Sequence, residues 1–156
     1  MIHVLFVCLG NICRSPMAEA VMQDLIEKEH LHDTVIVDSA ATSSWHIGEP
    51  PYSGTQDKLR EYGISTEGMQ SRQLHKQDFE QFDYLIGMDE NNIRNMHTML
   101  GQSNSPKIFR LLDLTDHRKD VPDPYYTGDF QETYDLVLDG CQALLEKIKR
   151  ENNLQG

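Results

Sequence analysis

The sequence is poor in basic residues. Fourteen lysines and arginines stand against 25 aspartates and glutamates, which gives a formal net charge of −11 at pH 7. A protein with so few cations and a strong negative net charge is not attracted to the phosphate backbone of a nucleic acid or to an anionic membrane surface. Neither is expected as a partner. A site that binds an anion must therefore be a local exception to the overall field of the protein.

Long hydrophobic runs and cysteines are also scarce. The first apolar run ends at Val7 and is too short for an export signal or a membrane span, so neither is expected. The only cysteines are Cys8, Cys13 and Cys141. An odd number of cysteines without an export signal suggests the reducing cytoplasm. Their spacing contains no C-x-x-C pair, and we expect no metal and no cofactor.

The apolar pattern predicts alternating strands and helices. The length of 156 residues, 38% of them hydrophobic, suits one domain over residues 1–156 with an ordinary core. Strands are predicted over 2–7, 34–38, 83–88 and 107–111, and helices over 16–30, 56–62, 75–82, 89–100 and 130–148, with loops over 42–54 and 113–128. This order predicts an α/β fold of three αβα layers, flavodoxin-like or Rossmann-like, with a four-stranded parallel sheet. In such sheets ligands bind at the carboxyl ends of the strands.

The most informative stretch, CLGNICRSP, runs from Cys8 to Pro16 between a predicted strand and a predicted helix. In a tight loop of this kind, successive backbone N–H groups form a concave anion site, and the positive end of the helix dipole adds to it. Arg14 carries a planar fork that suits two phosphate oxygens. This environment favours the thiolate form of Cys8, which is then a nucleophile directed at phosphorus. The loop residues expected to bind phosphate are Leu9, Gly10, Asn11, Ile12 and Cys13.

Three residues of this stretch have further expected roles. Ser15 is predicted as the helix N-cap and Pro16 as the first helical residue. The Ser15 hydroxyl is also expected to donate to the Cys8 sulfur. Asn11 tolerates the left-handed backbone that a tight loop requires.

Four segments together resemble the low-molecular-weight protein tyrosine phosphatases: VCLGNICRSPMAEA at 7–20, DSA at 38–40, Trp45, and VPDPYY at 121–126. The resemblance extends over nearly the whole chain. It implies hydrolysis of phosphotyrosine monoesters in protein substrates through a cysteinyl-phosphate intermediate on Cys8. It also implies that Asn11 is hydrogen-bonded to Ser39, which supports the loop.

Asp123 is a candidate general acid because prolines on both sides restrict its backbone, although local chemistry also allows a turn aspartate. The resemblance implies that Asp123 protonates the leaving phenol and later activates water. Tyr125 and Tyr126 are either partly buried loop anchors or the walls of a slot for an aromatic ring. Trp45 is the only tryptophan and lies in a polar loop, where an exposed indole often marks a binding surface. By resemblance, all three aromatic residues line the mouth of the site.

Two positions leave alternatives open. Ala41 stands where the family usually has the glycine of D-S-A-G, and a positive φ there would cost about 1 kcal/mol and shift the loop that carries Trp45. Cys13 either forms a reversible disulfide with Cys8 or is a buried packing residue. Cys141 lies on an apolar helical stripe and is expected in the core. No role is assigned to His46.

Three other functions share some of these features. An arsenate reductase on this fold needs a further cysteine pair on a mobile segment, which Cys141 alone does not supply. A phosphoarginine phosphatase has threonine at the position of Ile12 and lacks the tyrosine pair after Asp-Pro. A phosphate-binding domain without turnover would not need a nucleophile and an acid. We therefore expect a cytoplasmic tyrosine phosphatase, monomeric or weakly dimeric.

Overall fold

A computed structural model describes residues 1–154. Its centre is a four-stranded sheet in the order β2-β1-β3-β4, and each pair of neighbours is parallel. The strands are β1 (Ile2–Cys8), β2 (Val35–Ala41), β3 (Tyr84–Gly87) and β4 (Ile108–Arg110). The predicted α/β fold with a four-stranded parallel sheet is confirmed.

The strand β1 lies between β2 and β3 and is buried on both faces. Val4 and Phe6 point into a large cluster with the helices α1 (Arg14–Lys28) and α6 (Phe130–Asn152). Leu5 and Val7, the alternate residues of β1, join a smaller cluster with α4 (Glu90–Leu100). Burial on both faces explains the continuous apolar run of β1, and it gives the three αβα layers that were predicted.

The remaining helices are short. They are α2 (Ser53–Arg60), α3 (Asp78–Gln81), a 3₁₀ turn (Leu111–Leu114) and α5 (Pro124–Thr127). Helix α4 begins at the predicted N-cap Asp89, which accepts a hydrogen bond from the Asn92 amide, and it ends at Gly101 in the left-handed conformation. Within residues 1–154, none of the helices combines the length and the apolar character needed to cross a bilayer.

Several predicted boundaries were wrong. The strand β2 continues to Ala41, because its last three residues pair with the last three of β1. The helix predicted over 75–82 is limited to α3. The region 113–128, predicted as loop, contains the end of the 3₁₀ turn and the whole of α5. The prolines beside Asp123 led to the loop prediction, but Pro124 is well placed as the first residue of a helix, where its missing N–H costs nothing.

Candidate active site

Cys8 is the last residue of β1, at the carboxyl edge of the sheet, and it is 3% exposed. Residues 9–13 form the loop that connects it to α1. Asn11 adopts a left-handed conformation with φ of 56°, as expected from its residue type. Gly10 makes a close approach, since a Cβ atom there would lie 3.0 Å from the His46 ring and would require that ring to shift.

The carbonyl groups of this loop are bonded to neighbouring segments. Four of them accept hydrogen bonds, those of Leu9, Gly10, Ile12 and Cys13, from Ser43, Ser71, Tyr52 and Thr55 respectively, and the Cys8 carbonyl before them accepts one from Thr42. Among residues 1–154, no protein atom accepts a hydrogen bond from the amides of residues 9–13. Five consecutive N–H groups that directly follow Cys8 thus have no protein acceptor among the described residues, which suits an anion nest.

The Cys8 sulfur is contacted by Ser15 in two ways. The Ser15 hydroxyl lies 3.0 Å from Sγ, and the Ser15 amide donates to Sγ at 3.4 Å. Both are donors suited to a sulfur anion. Ser15 was wrongly predicted as the N-cap: α1 begins at Arg14, and Cys13 occupies the cap position without a side-chain hydrogen bond. The hydroxyl that would have capped the helix is engaged with Cys8 and Asn11 instead.

Arg14 is held by groups from two other segments. Its Nη1 donates to Asp89 Oδ2 at 2.7 Å and to the Val121 carbonyl at 2.9 Å, and its Nη2 lies 3.5 Å from Asp123 Oδ2. The side chain is 3% exposed. Burial disfavours the charged guanidinium, but the Cys8 sulfur and the two carboxylates outweigh burial and raise the pKa of Arg14. The cation is fixed in place beside the nest.

Asp123 lies at the start of α5 as its N-cap. Its Oδ1 accepts a hydrogen bond from the Tyr125 amide at 3.1 Å, and its other oxygen faces Arg14. The preceding chain is attached to the sheet by the Val121 amide, which donates to the Met88 carbonyl at 2.8 Å. Asp123 is thereby directed into the same cleft as Cys8, although the two residues are far apart in the sequence.

The cleft has a volume of about 170 Å³ and combines the nest with aromatic walls. Trp45 and Tyr126, 68% and 74% exposed, stand at its rim. The Tyr125 ring packs edge-to-face against Tyr126 at 5.4 Å and against Tyr52 at 5.5 Å. The cleft brings together ten residues: Cys8, Leu9, Gly10, Ile12, Cys13, Trp45, His46, Asp123, Tyr125 and Tyr126.

A hydrogen-bond network supports the loop from behind. Asn11 Nδ2 donates to Ser15 Oγ at 2.7 Å and to Ser39 Oγ at 2.9 Å. The expected hydrogen bond between Asn11 and Ser39 is therefore present. The Ser39 hydroxyl in turn donates to Glu19 Oε1 at 2.6 Å. The network connects the loop with β2 and α1.

Two open questions from the sequence receive partial answers. Ala41 lies in β2 without a positive φ, so it carries none of the strain that a left-handed glycine position would impose.

Cys8, Cys13 and Cys141 are all free and buried. Burial raises the pKa of Cys13 to about 12, with a further contribution from Asp123, and burial also raises the pKa of Cys141. The reversible Cys8–Cys13 disulfide stays one of the two alternatives, beside a packing role for the buried Cys13.

Four residues around the site make contacts that no sequence pattern indicated. Asp89 was predicted only as a helix cap, yet it also binds Arg14. Glu19 and Arg72 had no predicted role, and Arg72 donates its amide to Asn11 Oδ1 at 3.2 Å. His46 lines the cleft and is hydrogen-bonded to Glu49 at 2.8 Å. Each contact depends on tertiary structure, which no local pattern reports.

Metal ligation finds no support in the part of the chain that the structure describes. No three histidine, cysteine, aspartate or glutamate side chains between residues 1 and 154 are grouped so that they could hold a metal ion.

Comparison with known proteins identifies the family. The model of the low molecular weight phosphotyrosine protein phosphatases matches residues 3–154. The low molecular weight protein-tyrosine-phosphatase YfkJ of Bacillus subtilis is 52% identical over 156 residues, covering 99% of this chain and all of the relative. Its crystal structure superimposes with a TM-score of 0.94 over 97% of this chain and 96% of that one.

Two further relatives show the range of the group. PtpA of Staphylococcus aureus, also a low molecular weight protein-tyrosine-phosphatase, is 42% identical over 99% of both chains. A Drosophila arginine phosphatase is 34% identical and superimposes with a TM-score of 0.85 over 96% of this chain and 98% of that one. These matches extend over nearly the whole chain, and they agree with a cleft in which a cysteine lies next to amides without a protein acceptor. They show that the protein belongs to the low molecular weight protein-tyrosine-phosphatase family and is a phosphoric monoester hydrolase.

Proposed function

We propose that the protein hydrolyses phosphotyrosine in protein substrates with Cys8 as the nucleophile. The observation that carries this proposal is the set of free amides at residues 9–13 beside a sulfur that itself receives two hydrogen-bond donors from Ser15. A phosphate dianion in this nest brings its phosphorus to the sulfur, while the amides and Arg14 bind the remaining oxygens. Preorganised donors of this kind usually contribute more to catalysis than any other single effect, because they stabilise the charge of the transition state.

The first step transfers the phosphoryl group to the enzyme. The Cys8 thiolate forms a bond to phosphorus as the bond from phosphorus to the tyrosyl oxygen breaks. The Asp123 carboxyl group gives its proton to that oxygen, so that a neutral phenol leaves. Asp123 is suited to this role because it shares the cleft with Cys8 and its backbone is restricted by two prolines.

The second step releases phosphate. Water forms a bond to phosphorus as the bond from phosphorus to Cys8 breaks, and the Asp123 carboxylate takes a proton from that water. The Ser15 hydroxyl, 3.0 Å from Sγ, stabilises the departing thiolate. The enzyme returns to its starting form with every atom and proton accounted for by the substrate, the water and these side chains.

Phosphotyrosine is favoured over phosphoarginine by the lining of the cleft. Ile12 presents an apolar side chain at the position where the phosphoarginine enzymes carry threonine, and Trp45, Tyr125 and Tyr126 offer aromatic surface to a phenyl ring. The test is a comparison of kcat/KM for peptides that carry phosphotyrosine or phosphoarginine in the same sequence, together with arsenate and thioredoxin. Faster turnover of the phosphoarginine peptide, or reduction of arsenate, would overturn the assignment.

The cellular setting is part of the same proposal. A cytoplasmic location is supported by the three free cysteines, which a reducing compartment preserves, and the proposed oligomeric state is a monomer or a weak dimer. One domain over residues 1–156 is supported by the packing of α1, α4 and α6 on one sheet. Sedimentation equilibrium across a range of concentrations tests the oligomeric state.

A further inference from the structure

Glu19 is a partly buried carboxylate that the mechanism above does not use. It lies on α1 outside the substrate cleft, and its Oε1 accepts a hydrogen bond from the Ser39 hydroxyl at 2.6 Å. An ionised carboxyl group withdrawn from water is costly unless it is well paired, so its presence behind the loop calls for a reason. The hydrogen bonds that lead from Glu19 toward Cys8 provide that reason.

The direction of these hydrogen bonds is determined at Asn11. Its Oδ1 accepts from the Arg72 amide at 3.2 Å, which leaves the Nδ2 group as the donor toward Ser15 and Ser39. Both hydroxyl oxygens therefore accept from Asn11, and each hydroxyl must place its own proton elsewhere. The Ser39 proton points to Glu19.

The other branch ends at the nucleophile. The Ser15 oxygen accepts from Asn11 at 2.7 Å, and its proton is directed to the Cys8 sulfur at 3.0 Å. A continuous series of side-chain hydrogen bonds thus runs from the Glu19 carboxylate through Ser39, Asn11 and Ser15 to Cys8. Hydrogen bonds in such a series polarise and orient one another.

We propose that Glu19 is a positioning residue, whose carboxylate form keeps Ser39 as its donor and thereby keeps Asn11 and Ser15 oriented with the Ser15 hydroxyl donating to Cys8. The inference rests on the proposed role of Cys8 as nucleophile. Glu19 itself contacts neither substrate nor sulfur. It acts by accepting the hydrogen bond that the Ser39 hydroxyl donates.

Burial and the charges around Glu19 place its ionisation near neutral pH. Burial is the main cause of a shift that raises the pKa of Glu19 to about 7; the Ser39 hydrogen bond and Arg72 oppose this shift, and Asp38 adds to it. Three more carboxylates line the surface cleft that Glu19 borders, those of Asp24, Glu27 and Glu67. A neutral Glu19 is a weaker acceptor, which leaves the Ser39 hydroxyl free to turn and loosens the orientation of Asn11.

The test compares the wild type with Glu19→Gln, which keeps the shape but not the charge. We expect the ratio of their kcat values for p-nitrophenyl phosphate to lie near one at about pH 5 and to rise to about three- to ten-fold at about pH 8.5, with KM changed little. Glu132→Gln makes the same chemical change at an exposed position of α6, outside the cleft that Glu19 borders, and should track the wild type at every pH.

A double-mutant cycle assigns the effect to the hydrogen-bond series. In a Ser39→Ala background, Glu19→Gln should have no further effect, because the series is already interrupted. A kcat ratio that does not change with pH, or an effect of Glu19→Gln that persists without Ser39, would overturn the inference. Both results are distinct from failure of the proposed function, in which the wild type itself does not turn over aryl phosphates or Cys8→Ser keeps its activity.

Discussion

Asp89 binds Arg14 with one carboxylate oxygen and caps a helix with the other. Its Oδ2 accepts from Arg14 Nη1 at 2.7 Å, while Oδ1 accepts from the Asn92 amide at 2.7 Å in the first turn of α4. One side chain thus ties the guanidinium of the proposed phosphate site to the end of β3. Because the two oxygens have separate partners, the two functions can be separated experimentally.

Asp89→Asn should lower activity without unfolding the protein. Asparagine is as good an N-cap as aspartate, so the start of α4 should be kept, while loss of the charged hydrogen bond to the buried Arg14 should lower the free energy of unfolding by about 1.5 to 3 kcal/mol. The amide removes the negative charge beside Arg14, and kcat/KM should fall about ten-fold, equivalent to about 1.4 kcal/mol. Urea denaturation and steady-state kinetics measure the two effects. Asp57→Asn is the control. It breaks the exposed ion pair between Asp57 and Arg60, whose atoms are 2.8 Å apart, and should change neither the free energy of unfolding nor kcat/KM.

Arg14→Lys should remove most of the activity. An ammonium group carries the charge but cannot bond Asp89, the Val121 carbonyl and two phosphate oxygens with one planar fork. We expect kcat/KM for a phosphotyrosine peptide to fall by about 10²- to 10³-fold. Arg60→Lys on the exposed surface of α2 is the control. Turnover close to that of the wild type would show that the fork geometry is not needed.

The loss of first-turnover rate caused by Asp123→Asn should depend on the leaving group. Phenyl phosphate needs a proton on its departing oxygen, so its first-turnover rate should fall by about 10²- to 10³-fold, whereas that of p-nitrophenyl phosphate should fall less than about ten-fold. Stopped-flow measurement of phenol release in the first turnover isolates this step from hydrolysis of the intermediate. Asp116→Asn replaces an exposed aspartate earlier in the chain and serves as the control. Equal losses for both substrates would argue against a general acid at residue 123.

Glu19 should make stability depend on pH. Its pKa is raised by burial from the ordinary 4.5 to about 7, so the folded state binds this proton more tightly than the unfolded chain. The stabilising contribution of neutral Glu19 is complete below about pH 4.5 and is lost as the pH rises through about 7, a change of roughly 3 kcal/mol. Relative to the wild type, Glu19→Gln should therefore gain about 2 to 3 kcal/mol of unfolding free energy between about pH 5 and pH 8.

Urea midpoints of the two proteins at both pH values provide the measurement. Glu132→Gln is the matched control, because Glu132 is exposed on α6 outside the cleft that Glu19 borders and its replacement should not alter the pH dependence. A constant difference between the wild type and Glu19→Gln would show that Glu19 does not change its ionisation in this range.

The parts of the site that could be predicted from the sequence are those encoded locally. The strand β1, the loop after it and the helix α1 follow one another directly, and the residue types of Cys8, Asn11 and Arg14 indicate an anion nest without knowledge of the rest of the chain. The left-handed backbone of Asn11 and the capping of α4 by Asp89 were predictable for the same reason.

The parts that were missed or wrong depend on distant contacts. Asp89 is 75 residues from Arg14, and its second oxygen has no sequence signature. Ser15 has the residue type and position of an N-cap, but its hydroxyl has better partners in Cys8 and Asn11. The helix begins at Arg14, two residues earlier than predicted, without a side-chain cap. Local propensity is overridden here by the hydrogen bonds that the sulfur and the loop require.

The identity of the phosphorylated residue tests the central claim most directly. The wild type and the variants Cys8→Ser and Cys13→Ser can each be mixed with a phosphotyrosine peptide, quenched in acid during the first turnovers and mapped by mass spectrometry. The structure predicts a phosphoryl group on Cys8 in the wild type and in Cys13→Ser, and none on any residue of Cys8→Ser. Phosphate on Cys13, or turnover by Cys8→Ser, would contradict the role of Cys8 as the nucleophile.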